Sequence, residues 1–328
     1  MVTNKKGMYF TILTISFLVI FLFFFTTHTY RKLTDKMFVI ESRVTSMDSF
    51  LHDVERDLER GLYISSFRAI LSLQDYMTTK GEFFSNFSNS FKEAVVNGTI
   101  NGTPVSLMFD STTDSRIVGW IDNIKRQAHK LNLNLNISIL NFTLYQSDPW
   151  RIKIGINVSI ILNDSTQIAE WRKQSYIETF IHIEGLEDPL YIVNGLGRYS
   201  NLINRTPYEN NFTHFNGSEW NVSNLIEHFE NSLYLDNPSA PSFLMRFENN
   251  LDPSPNGIES IVNLQELSNR FTPEELTIYY DKSVVDYIYW SSQNPDIYRI
   301  NFTPSWYKID NEHRATYNVT SISYPYEE

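Results

Sequence analysis

From Gly7 to Tyr30 no charged residue occurs, and Met8 to Thr27 contains thirteen Phe, Ile, Leu or Val. At about 1.5 Å rise per residue, twenty such residues span the roughly 30 Å of hydrocarbon in a bilayer. Each large apolar residue contributes about −0.3 to −0.6 kcal/mol on insertion, so the run gains several kcal/mol net of its Thr and Ser. The pattern predicts an inserted helix. A cleaved secretory signal would have a shorter apolar core ending in a small-x-small site, whereas this run ends in Thr26-Thr27-His28-Thr29.

Beyond the run the period stays helical. Leu33, Met37, Ile40, Val44, Met47, Leu51, Val54 and Leu58 recur at spacings of four and three, a heptad seam. No proline precedes Pro104, and Gly61 is the one glycine between Met8 and Lys80, so nothing breaks a helix before Lys80-Gly81. Such a seam needs a partner: a second copy of the helix, or the underside of the chain's own sheet. Phe38, Val39 and Phe50 widen the stripe beyond a strict coiled-coil seam, which favours the sheet.

Ser111 with Asp114 reads as a variant capping box, and Ile117, Ile121, Ile124, Ala128 and Leu131 follow at helical spacing, predicting an amphipathic helix over 112–131. Period-two alternation then takes over. Leu133, Leu135, Ile137 and Ile139 oppose Asn134, Asn136 and Ser138, and Leu140, Phe142 and Leu144 shift phase as after a bulge. Ile152, Ile154, Ile156, Val158 and Ile160 alternate with Lys153, Gly155, Asn157 and Ser159, and a third strand is expected over Tyr176 to Glu184. Together these predict an antiparallel meander with one wet face. After Ser200 the texture is loops with short elements: a helix over Val222 to Leu233, another after Pro241, and strands over Tyr298–Thr303 and Ser305–Val319. The fold class is α+β: a long N-terminal helix, transmembrane then amphipathic, followed by an antiparallel sheet body with short helices. The expected organisation is a leader over 1–7, a membrane helix over 8–30, an amphipathic helix over 31–80, helix plus meander over 81–200, and a loop-rich α+β region over 201–328.

Charge narrows the function. The chain carries 27 Lys+Arg against 38 Asp+Glu, net −11, and the first 36 residues are net +4, which leaves −15 on the body. No surface for nucleic acid is expected there. With no cysteine, disulfides, thiol catalysis, Fe-S clusters and Cys-type zinc sites are excluded. Lys5 and Lys6 precede the apolar run while Arg31, Lys32 and Lys36 follow it, so basic residues alone do not orient it.

Sequons orient it better. Asn-x-Ser/Thr occurs at Asn86, Asn97, Asn101, Asn136, Asn141, Asn157, Asn163, Asn204, Asn211, Asn216, Asn221, Asn301 and Asn318, all beyond the apolar run. Its 31 Asn and 57 Ser or Thr predict about five by chance. Pro104 and Pro304 follow two sequons directly and weaken Asn101 and Asn301, leaving eleven candidates on an extracytoplasmic body. Asn136 and Asn157 fall on the wet face of the meander.

Catalytic and metal-binding patterns are sparse. The seven histidines form no H-x-x-x-H pair, and His182 with Glu184 reads as an exposed polar face. Gly195-Leu196-Gly197 lacks the third glycine of a dinucleotide site and no helix pattern opens there. Asp252 to Gly257 begins like a calcium loop, but position twelve is Asn263, and two prolines favour a turn. Glu274 and Glu275 are adjacent and point to different faces, poor geometry for a carboxylate pair. Tyr287, Tyr289 and Trp290 are expected in the core. No catalytic residue, cofactor or metal is expected.

Lys5-Lys6-Gly7 directly before Met8-Tyr9-Phe10-Thr11-Ile12 resembles the class III signal of archaeal type IV pilin-like surface proteins. In that family a peptidase cuts after the glycine on the cytoplasmic side and leaves the apolar helix on the mature protein. The resemblance implies processing between Gly7 and Met8, a helix that anchors and in true pilins becomes filament core, and a sheet over the helix's second half. Ile12, the fifth mature position, stands where bacterial pilins carry Glu. The function expected is a plasma-membrane-anchored, single-span, glycosylated pilin-like subunit without enzymatic activity. Its partners are membrane lipid and other pilin-like subunits or itself. The alternative is a single-span receptor or adhesin that does not polymerise.

Overall fold

A computed structural model describes residues 5–110 and 113–326. Helix α1, Lys5–Lys80, runs unbroken for 76 residues. It stops where Gly81 adopts φ +68° and donates its N–H to Met77 O at 2.7 Å, the left-handed ending that glycine permits. Gly61 has a packing reason: a Cβ there would sit 2.9 Å from Cγ of Trp120, so its absence lets a neighbouring helix close on α1. Helix α2, Phe87–Asn97, is capped by Asn86, whose Oδ1 accepts the Asn89 N–H at 2.9 Å. A two-residue ladder, β1 (Thr99–Ile100) with β2 (Thr103–Pro104), leads to helix α3, Ile117–Lys130.

The expected start of α3 near residue 112 is corrected. Ser111 lies outside the described residues, and the N-cap is Arg116, which makes no side-chain cap bond. The Asp114 carboxylate is taken by Arg116, at 2.8 Å from Nε and 2.7 Å from Nη2, and does not cap the helix.

Strands β3 (Leu133–Asp148), β4 (Arg151–Asp164) and β5 (Glu170–His182) form an antiparallel meander in the order β3-β4-β5. The register shifts between Ile139 and Asn141. Phe142 and Leu144 pack on the core, as the phase change predicts, but Leu140 is the bulged residue itself and is exposed, a correction to its expected place. Strand β5 begins at Glu170, not Tyr176. Its first residues, Trp171-Arg172-Lys173-Gln174-Ser175, hide the period because Lys173 and Ser175 turn polar groups toward Glu55 of α1.

On β4 the whole inner row, Ile152, Ile154, Ile156, Val158, Ile160 and Leu162, is fully buried. Ile152 to Ile160 share one cluster with Leu51, Val54, Leu58, Leu62, Ile70 and Leu73 of α1 and Ile117, Ile121 and Ile124 of α3, and Leu162 packs with Met47, Ala128 and Leu133. At about 1.5–3 kcal/mol for each large side chain removed from water, this layer is the main source of stability for the first half of the body. The chain's own sheet is therefore the partner of the seam, but only from Met47 onward. Leu33, Met37, Phe38, Val39 and Ile40 remain exposed, so the lower seam and the widening residues Phe38 and Val39 are not covered as expected.

Past β5 the elements are short: α4 (Pro189–Asn194), the ladder β6 (His214–Phe215) with β7 (Trp220–Asn221), α5 (Ser223–Glu230), β8 (Tyr234–Asp236), α6 (Phe243–Arg246), β9 (Ile258–Ser260), α7 (Leu264–Arg270), α8 (Asp286–Tyr289), β10 (Ile297–Ile300), β11 (Lys308–Asp310), α9 (His313–Thr316) and β12 (Ser323–Pro325). β8 pairs with β9, and β10 lies between β11 and β12. The strand expected over Ser305–Val319 is broken. Only Lys308–Asp310 pairs, and the chain then turns helical at His313, where the Asp310 carboxylate accepts the Glu312 and His313 N–H groups. Tyr287 and Tyr289 are buried in this half, with Trp290 packed against the same cluster. The two halves share a core: Phe247 stacks on Phe87 at 4.0 Å, and Tyr234, Phe243 and Ile258 join the helix-and-sheet cluster.

Candidate functional site: an apolar anchor and a sequon-bearing body

From Met8 to Phe25 the apolar side chains of α1 are exposed all round the helix, Phe24 to 75%. A window of this helix reaches a mean hydropathy of 2.5 with none of it buried, so α1 is long and apolar enough to cross a membrane. Its threonine hydroxyls are satisfied within the helix. Thr14 Oγ1 donates to Phe10 O at 2.8 Å, Thr27 to Phe23 O at 2.9 Å and Thr29 to Phe25 O at 2.9 Å. Lipid offers such groups no other partner. Gly7 and Met8 both lie in this helix and are exposed.

Between Tyr30 and the body stands bare helix. Ile168 of the β4–β5 turn borders a shallow groove with Lys36, Val39 and Ile40, and the first hydrogen bonds from the body among the described residues are at Arg43, whose Nε donates to Asp164 at 2.6 Å and whose Nη2 donates to Leu131 O and Asn132 O at 2.9 and 3.1 Å. Twelve residues of helix lie between Tyr30 and Arg43, which are about 20 Å apart along the axis. Arg31, Lys32 and Lys36 lie in the first turns of this stretch.

Every sequon asparagine reaches solvent. Asn86, Asn97, Asn101, Asn136, Asn141, Asn204, Asn211, Asn216, Asn221, Asn301 and Asn318 are exposed, and Asn157 and Asn163 are half-buried. Asn216 Oδ1 accepts from the Ser218 hydroxyl at 2.9 Å, and Asn221 Oδ1 from the Ser223 hydroxyl at 2.7 Å. Asn136, Asn141 and Asn157 share the face opposite the buried isoleucine row.

A buried ionic network stands apart from these surfaces, and the sequence reading did not anticipate it. Arg246 Nη1 donates to Asp188 Oδ2 at 2.6 Å and to Asp286 Oδ2 at 2.8 Å, all three side chains being fully buried. Tyr234 Oη also donates to Asp188, and Ser260 Oγ to Asp286. Burial pushes the Asp286 carboxyl up, against the Arg246 charge, which pulls it down. Nearby, His313 Nδ1 lies 2.7 Å from Asp310 and Nε2 lies 3.0 Å from Glu259. Burial would lower this imidazole, but the two carboxylates outweigh it and push it up to about 10, so it is an imidazolium. His228 is the contrast: burial alone takes it down to about 3, and it packs against Phe212. The network ties α4, α6, β9, α8, β11 and α9 together and is sealed from solvent.

The remaining sequence candidates have structural places. His182 ends β5 and Glu184 lies beyond it, both exposed. Gly195-Leu196-Gly197 closes α4 as a turn. Asp252 to Gly257 is a turn whose Ser254 N–H donates to Ala240 O at 3.0 Å. Glu275 is paired with Arg198 at 2.9 Å and accepts the Thr272 N–H at 3.0 Å. Among the described residues no group of three His, Asp or Glu side chains is placed to hold a metal. No family model, curated protein or solved structure matches the chain.

Proposed function

We propose that the chain is a membrane-anchored, glycosylated, pilin-like surface subunit without enzymatic activity. Residues 8–30 cross the plasma membrane once, and the body stands outside it. One observation carries the reading: a single helix is apolar and uncovered over its first third, bare over a short stalk, and becomes the core of a folded body over its second half. An anchor and its load are thus one rigid element. The sequons, all beyond Tyr30 and all reaching solvent, support an extracytoplasmic body. The basic stretch before Gly7 supports processing at Gly7-Met8.

The second reading is a single-span receptor or adhesin that keeps its N-terminus, favoured by Ile12 at the fifth mature position. The two separate on the N-terminal residue of the protein isolated from its own membrane. Met8 as first residue, and a slower-migrating precursor for Gly7→Leu, support the pilin-like subunit. An intact Met1 or Val2 overturns it in favour of the receptor.

A further inference from the structure

The outer face of the β3-β4-β5 sheet is built in rows. Asn141 on β3 pairs with Asn157 on β4, which pairs with Tyr176 on β5; the next row is Thr143, Gly155 and Glu178, and the next Tyr145, Lys153 and Phe180. Tyr176 leans out of its row. A Cβ at Gly155 would fall 2.1 Å from Tyr176 Oη, so the ring occupies the space that any side chain on that central strand would fill. Tyr176 Oη lies 3.3 Å from Thr143 Oγ1 on the far strand. The ring therefore lies across the sheet, yet remains 45% exposed. Tyr145 and Phe180 are also exposed beside it, flanking Lys153, whose Nζ is 2.7 Å from Glu178.

An aromatic face bordered by hydroxyl, amide and ion-pair groups suits a pyranose, which offers C–H groups to the ring and hydroxyls to the polar rim. Two sequons stand at its border. Asn141 and Asn157 are directly opposite each other, and such partners have Cβ atoms about 4.5–5.5 Å apart, too close for two sugar chains. A sugar on either one also bars a protein from docking on this face.

We propose that the Asn141–Asn157 pair carries one N-linked glycan whose first sugars lie on the Tyr176 ring and cover this aromatic platform. The inference rests on the glycosylated-body reading and adds where one sugar chain lies and what holds it. Only one of the two asparagines is occupied on any molecule.

Tyrosine nitration of the native membrane glycoprotein, mapped by mass spectrometry, tests it. Tyr279 and Tyr280, each 47% exposed, serve as internal standards. Nitration of Tyr176 is expected several-fold slower than that of the standards, and equal to it in the Asn141→Gln/Asn157→Gln variant. A Tyr176 as reactive as the standards with the pair occupied overturns the inference and leaves the glycosylated body standing. So does an unoccupied pair when other sequons carry sugar, and so does a Tyr176 still protected after the pair is removed, which would assign the platform to a separate saccharide or protein. Sugar on none of the thirteen sequons overturns the inference and the glycosylated body together.

Discussion

Arg43 of α1 donates Nε–H to Asp164 of the β4–β5 turn at 2.6 Å, joining residues 121 apart in sequence, with the Asp164 side chain only 2% exposed. The same guanidinium holds the carbonyls that end the α3–β3 turn. The end of the body nearest the apolar stretch of α1 is thereby fastened to the helix.

This fastening sets an acid limit. Hydrogen bonds from Thr166 and Arg43 hold the Asp164 carboxyl down to about 2, against an ordinary 3.8. A carboxyl lowered in the folded state stabilises fully above its unfolded value and loses that contribution as pH falls through the folded one. Arg43→Ala should raise the pH midpoint of acid unfolding, followed by circular dichroism in detergent from pH 6 to pH 2. An unchanged midpoint would show that the contact does not hold the turn.

The seam gives a contrast along one stripe. Leu51 is 4% exposed under the sheet, whereas Met37, two heptads earlier, is 70% exposed. Leu51→Asp should destabilise the body by about 3 kcal/mol or more, because it places a charge among apolar groups. Met37→Asp should leave the thermal transition within about 0.5 kcal/mol of wild type. A folded Leu51→Asp protein that had lost only self-association would place that part of the seam between subunits instead.

Arg246→Met leaves Asp188 and Asp286 facing each other without their cation. Breaking a buried pair in this way costs about 3–5 kcal/mol. Denaturant melts should show that loss, and the full Arg246→Met, Asp188→Asn, Asp286→Asn replacement should recover part of it. Equal melts for wild type and Arg246→Met would count against the network as a structural tie.

His313 predicts an alkaline limit. Its folded value, raised to about 10, exceeds the ordinary 6.5. A raised base stabilises fully below its unfolded value, and that contribution is lost as pH rises toward the folded one. Wild-type Tm should therefore fall between pH 7 and pH 10, and His313→Gln should start lower and fall less. Parallel profiles would remove the imidazolium from the account.

The long helix, its end at Gly81 and the meander were legible because period and burial agree there: the residues that recur along one face of α1 and one row of β4 are the ones that are buried. The start of α3 was misread because Asp114 satisfies Arg116 rather than the helix end, a choice between two partners that spacing does not reveal. The ionic network left one overlooked trace, a charged residue inside an apolar run: Arg246 between Met245 and Phe247, and Asp286 between Val285 and Tyr287. Which acid meets which base depends on tertiary pairing across 40 to 58 residues, beyond any local pattern.

If α1 anchors a body that stands outside the cell, the cysteine-free chain allows a direct test. Gln293→Cys places one thiol on the exposed surface of the C-terminal half. Labelling with a membrane-impermeant maleimide on intact cells should reach this thiol as fully as labelling after lysis. Labelling that appears only after lysis would put the body in the cytoplasm and contradict the account.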